Sequence, residues 1–224
     1  MRARELRTVV DDFLDRLFAA YAAGQPRHGR VINPKSRAVY LNEQGELDEG
    51  QMNEVEGGKG FPGTTAGYVD PAGPDDVKGK APPADGLIAS GGHTDARVKL
   101  NQPGSHWPKH PVKSGSTLTV EWNYSMPHKT RRWTYWITKD GWSPSQQLVR
   151  AHLEDKPIHE VVNTYQPYWG PDAEQELMAR NPTIHQVPLP QRSGHHLLLG
   201  VWNVADTEAA FYQVIDLDFG DGQS

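Results

Sequence analysis

The chain has no cysteine. That excludes disulfides, thiolate metal sites and a cysteine nucleophile, though it does not fix the compartment, because secreted proteins without disulfides exist. No apolar run approaches the roughly 18 residues of a membrane span, and the mean hydropathy is -0.69. No membrane partner is expected. Positive charge is not in excess either: 23 Lys and Arg stand against 28 Asp and Glu, a formal net charge of -5. Tracking a phosphate backbone needs a clustered basic surface. The stretch HKTRRW (128–133) is too short to supply one, so nucleic acid is not an expected partner.

What is present fits one domain. The 224 residues suffice for a real core and fall short of two full domains. Gly (22) and Pro (18) gather between apolar stretches, the punctuation of short strands joined by long loops.

Residues 1–27 differ from the rest. Leu6, Val9, Val10, Phe13, Leu14, Leu17, Phe18 and Tyr21 recur at helical intervals, with Asp11, Asp12, Asp15 and Arg16 on the other side. This pattern predicts an amphipathic helix ended by Gly24 and Pro26. The aspartates interrupt any export-type apolar core. From His28 to about Gly115 the composition is loop-like, with NEQGELDEGQMNEVEGGKGFPG and DPAGPDDVKGKAPPADG crowded with Gly, Pro and Asp. A loop region of that length inside a compact domain is usually functional.

The second half reads as strands. STLTVEWNYS (116–125) alternates Leu118, Val120 and Trp122 with polar residues, and RWTYWITK, HHLLLGVWNVA and FYQVIDLDF follow between turn signals. Such spacing favours packed antiparallel sheets over a parallel α/β architecture. PDAEQELMARN (171–181) reads as a short helix within a loop. The expected fold is an all-β, immunoglobulin- or fibronectin type III-like β-sandwich with long decorated loops, preceded by the N-terminal helix.

Four stretches raise a family resemblance: HGRVINPKSRAVY from His28, VEGGKGFPG from Val55, PHKTRRWTYWITKDGW from Pro127 and VWNVADTEAAFYQVIDL from Val201. Together, and in this order, they resemble the bacterial auxiliary activity family ten lytic polysaccharide monooxygenases, also described as chitin-binding proteins. The likeness runs from His28 to about Asp218. It implies a division into residues 1–27, a leader or propeptide, and residues 28–224, a copper monooxygenase or chitin-binding domain. It also implies one copper ion per domain, bound by the imidazole and freed α-amine of His28 and by the imidazole of His128. Phe211 matches an aromatic residue at the copper's axial face and Glu56 an outer carboxylate. Asp206 and Thr207 match polar residues on the polysaccharide-facing surface. The implied activity is oxidative cleavage of glycosidic bonds in chitin, less readily cellulose, with electrons from an external donor. The implied protein is a secreted monomer acting on insoluble polysaccharide.

Elementary chemistry agrees with that donor set. Imidazole and amine nitrogens suit copper, which such sites bind more tightly than other first-row divalent ions. A free α-amine, of pKa about 7.7–8.0, gives up its proton readily near neutral pH, whereas a mid-chain amide does not. Copper binding of this kind therefore requires a cut between Arg27 and His28. Some positions depart from the family pattern: Met126 stands where a small alanine is usual, Gly50 where a surface aromatic is usual, and Gln51 at the neighbouring polar substrate position, with Tyr40 a candidate substitute.

Plainer readings stand beside these. Phe211 has the setting of a core residue, Glu56 that of a solvated loop carboxylate, and Asp206 could simply fix a turn. His106 and His110 have helical zinc spacing, but Pro108 and Pro111 break any helix there. His195 and His196 open a strand, so their side chains diverge. His93 in GGHTD lacks the nucleophile elbow of a hydrolase. Of the seven tryptophans, Trp169 is expected to be the exposed one. A non-catalytic chitin-binding or adhesive module on the same face is the competing function.

Overall fold

The computed structural model describes residues 28–220. The helix expected in residues 1–27 lies outside them. Among the described residues nine strands form two sheets. One has three strands in the order β1 (Gly29–Asn33), β4 (Thr117–Tyr124), β7 (Thr183–Pro188). The larger runs β2 (Glu56–Gly58), β9 (Ala209–Asp218), β8 (His195–Val204), β5 (Thr130–Ile137), β6 (His159–Val162). Pairing is antiparallel except where the two-residue β3 (His110–Pro111) runs parallel to β9. The all-β sandwich expected from the alternation in 116–125 is what the chain forms.

Its core has two halves, because the larger sheet is covered on both faces. Along β8, Leu198, Trp202 and Val204 face the three-stranded sheet, while Leu197, Leu199 and Val201 face away from it. β9 divides in the same way, with Phe211 and Ile215 on one side and Tyr212 and Val214 on the other. A strand buried on both faces needs apolar side chains at successive positions, which explains the runs HHLLLGVWNVA and FYQVIDLDF.

The second face is covered by the segment that composition marked as loop. It holds two short helices, α1 (Arg37–Glu43) and α2 (Glu49–Asn53), and a 3-10 turn at Ala96–Asn101. Val39, Leu41, Met52, Ile88 and Leu100 from this segment are buried against the sheet. The region is thus half of the core's packing and not an appendage. Ser36 caps α1, and its hydroxyl donates to Gln213 Oε1 at 2.6 Å. Arg37 closes a two-pronged pair with the buried carboxylate of Asp216 at 2.7 and 2.9 Å. The helix expected at 171–181 is shorter, α3 (Ala173–Leu177).

The long β8–β9 hairpin has two ends, and chemistry-bearing side chains gather at one. There β1 and β9 begin, β8 ends, and the segment between β4 and β5 turns back. At the other end lies a groove of about 1550 Å³ lined by Trp142, Arg192 and His195 among others.

Candidate functional site

His28 precedes β1, and its main-chain N–H donates to the carbonyl of Met126 at 3.0 Å. Gly29 follows, paired with Tyr124. A Cβ there would stand 2.5 Å from the Tyr124 ring and 2.9 Å from Trp202, so only glycine lets this strand seat His28 so closely. His128 lies two residues before β5 on the returning segment. Its ring packs 5.7 Å from Trp202 and 5.8 Å from Phe211, centroid to centroid. Both histidines are nearly buried, His28 at 8% exposed and His128 at 5%.

Each imidazole has one nitrogen turned to a carboxylate. His128 Nδ1 bonds Asp206 Oδ1 at 3.0 Å, and His28 Nε2 stands 2.9 Å from Glu54 Oε1. A carboxylate only accepts, so it favours the hydrogen on the nitrogen facing it and leaves the lone pair on the other. That places lone pairs on His28 Nδ1 and His128 Nε2. His28 Nδ1 is buried without a hydrogen-bond partner. Burial holds the His28 pKa below its ordinary value; the charges of Glu54 and Glu56 oppose this, and that of His128 adds to it. A neutral imidazole is the form that ligates metal.

Glu56 lies directly across the strand pair from Phe211. Its Oε1 accepts from Lys80 Nζ at 2.8 Å. Phe211 is fully buried and stacked on Trp202 at 4.6 Å. His28, His128, Glu56, Phe211 and Asp206 thus converge on one end of the sandwich. Asp206 points inward, its side chain 12% exposed and engaged with His128. Thr207 accepts from Ala209 N at 3.2 Å, closing the β8–β9 turn. Gln51 sits on α2, where its side chain and that of Asp48 cap the helix reciprocally. Met126 presents its carbonyl to His28, and Gly50 is exposed on α2.

Glu54 has no pattern that singles it out in the sequence. It follows α2, and Arg97 donates to its carbonyl at 2.7 Å while bonding the Asp95 carboxylate. Lys59, in the VEGGKGFPG stretch, is buried and donates to Val204 O at 2.7 Å, two residues before Asp206. Burial lowers its pKa to about 8. Three other histidines pair elsewhere: His195 with Asp216, His196 with Thr138 and His185 with Tyr135.

Among the described residues, no group of three or more His, Cys, Asp or Glu side chains could hold a metal ion. Two imidazoles, each with one nitrogen turned to a carboxylate and the other left for a metal, together with the main-chain nitrogen of His28, are a different kind of donor set. It fits copper if that nitrogen is an amine, and the orphaned His28 Nδ1 is the observation that supports the fit.

Comparison with known proteins bears on the same residues. A family model described as "Lytic polysaccharide mono-oxygenase, cellulose-degrading" matches residues 28–217. GlcNAc-binding protein A of Aliivibrio fischeri is 36% identical over 169 residues, 75% of this chain and 29% of that protein. The chain thus spans about a third or less of such relatives. A chitin binding domain from Burkholderia pseudomallei is similar in structure, with TM-score 0.84 and 62% identity over 86% of this chain and 99% of that one. A Bacillus amyloliquefaciens CBM33 in complex with Cu(I) superposes with TM-score 0.62 at 32% identity, over 85% of this chain and 99% of that one.

Proposed function

The chain belongs to the lytic polysaccharide monooxygenase family, and from that premise we propose that it is a copper-dependent enzyme of this kind, cleaving chitin oxidatively and cellulose less readily. The observation that carries the reading is the pair of carboxylate-oriented imidazoles, one with a buried, partnerless nitrogen. Chitin is favoured by the names of the relatives, a GlcNAc-binding protein and a chitin binding domain.

In this reading His28 Nδ1, His128 Nε2 and the α-amine of His28 hold one copper ion. Copper, when bound and reduced by an external donor, supplies one-electron chemistry toward an oxygen co-substrate. The protein's part is binding, orientation and exclusion. The amine appears when the bond between Arg27 and His28 is cut. A main-chain amide has one hydrogen, given to Met126 O, and no available lone pair; an amine keeps that bond and has a lone pair to offer. Asp206 and Glu54 hold the rings in the ligating tautomer. Phe211 keeps polar groups from one side. Glu56, steadied by Lys80, presents an acceptor beside the site. Gln51 and Thr207 belong to the surface that meets the polymer.

The substrate is an insoluble polysaccharide outside the cell, so the working protein is secreted. Among the described residues no helix is long and apolar enough to cross a membrane. The second reading, a non-catalytic chitin-binding module, is favoured by one observation: the relatives bear binding names. The processed protein, incubated with chitin, copper and ascorbate, should release oligosaccharides one oxygen heavier than hydrolytic products by mass spectrometry. Retention on chitin with no oxidised product at any copper level would leave only the binding module.

A further inference from the structure

Trp169 is 60% exposed, more than any other large apolar side chain among the described residues. An aromatic ring of this type buries about 150–250 Å² when it packs, so leaving it in water forgoes substantial stabilisation. The loop that holds it is nevertheless tightly built. Gly170 N donates to Pro167 O at 2.9 Å, Ala173 N to Gly170 O at 3.1 Å, and Asp172 N to Tyr165 Oη at 3.1 Å. A Cβ on Gly170 would stand 2.6 Å from Tyr165 Oη, so glycine is what allows the turn. Tyr168 meets the Trp169 ring edge-on at 4.8 Å.

This loop is anchored to the candidate site. Ala173 and Leu177 are completely buried with Ala205, the neighbour of Asp206. Ala205 N donates to Lys129 O at 2.7 Å, and Ala179 N to His128 O at 3.3 Å. The loop is therefore tied to the two segments that hold His128 and its carboxylate. Lys129 and Glu174, on the flank of α3, pair with each other at 3.0 Å.

We propose that Trp169 is a stacking platform for a pyranose ring of the polysaccharide, fixing where the chain lies relative to His128. A pyranose offers an apolar C–H face bordered by hydroxyls, which matches an indole face with tyrosines beside it. The proposal rests on the polysaccharide reading above and adds the place where the polymer is gripped.

The test uses the full chain with a chitin suspension in chelator, so that binding is separated from chemistry. Trp169→Ala should weaken retention about five- to tenfold, the worth of one aromatic contact, with Trp169→Phe recovering most of it. Hydroxyl-radical labelling of Trp169 in the unaltered protein should fall when chitin is added. If the unaltered protein binds while Trp169→Ala binds equally well, or labelling is unchanged, the platform is overturned and the polysaccharide reading stands. If the unaltered protein, both as the full chain and cut between Arg27 and His28, is retained by neither chitin nor cellulose, both fall together. A change in sedimentation mass in Trp169→Ala without loss of retention would make the ring a contact between copies, which also overturns the platform.

Discussion

At the scale of single residues, the account turns on which nitrogen of each imidazole is available. Outer carboxylates that orient metal-bound histidines are commonly worth about 10- to 100-fold in metal affinity. Glu54→Ala should therefore weaken copper binding to the processed protein by about tenfold, and Glu54→Gln, which keeps an acceptor oxygen 2.9 Å from His28 Nε2, by less. Asp206→Ala should cost at least as much, because that carboxylate makes an aligned hydrogen bond to the more buried histidine. Calorimetric copper titration checks both. The two histidines were legible in the sequence because flanking motifs surround them. Glu54 was not, since a glutamate in a polar loop has no periodicity or spacing to mark it. Asp206 was expected on the polysaccharide-facing surface; its bond to His128 depends on where β8 stops, which no local pattern encodes.

At the scale of elements, β4 could be read from its alternation because only one of its faces is fully buried. The helices α1 and α2 could not, because seven and five residues are too few to show a 3.6-residue period. Their capping residues, Ser36 and Asp48, were the available signal. Between elements, His185 Nδ1 on β7 and the Tyr135 hydroxyl of β5 are hydrogen-bonded over 2.6 Å. Burial, helped by the charge of His159, lowers its pKa to about 4 from 6.5. Below pH 6.5 the unfolded chain takes up a proton that the folded chain resists, so stability falls as pH drops from 6.5 to about 4 and is flat for this group outside that window. The loss is up to about 3 kcal/mol. His93 and His196, also lowered by burial, act in the same direction. Urea unfolding across this window should show the decline, and His185→Gln should shrink it. A second link joins α1 to β9. Arg37→Ala strands the buried Asp216 carboxylate, which keeps only His195 as a charged partner. A loss of about 3–5 kcal/mol in chemical denaturation is expected.

At the scale of the whole molecule, the β8–β9 hairpin separates two ends, and the candidate site occupies the one where β1 and β9 begin, β8 ends and the β4–β5 segment turns back. The sandwich was legible because strands and turn signals alternate over the second half of the sequence. The second covered face was not, because a Gly- and Pro-rich segment that packs half a core has the composition of a surface loop. The placement of Trp169 depends on the same folding-back, as its loop is held by Ala205 and His128 from distant parts of the chain. On the proposed function, His28 must be a chain terminus for the site to bind copper. Titrating Cu(II) into the full chain and into the chain cut between Arg27 and His28 measures this directly. One equivalent should bind the cut protein more tightly by over about a hundredfold, since losing a ligand costs more than losing an outer partner. Equal affinity in the two forms, or no binding to the cut one, would contradict the account.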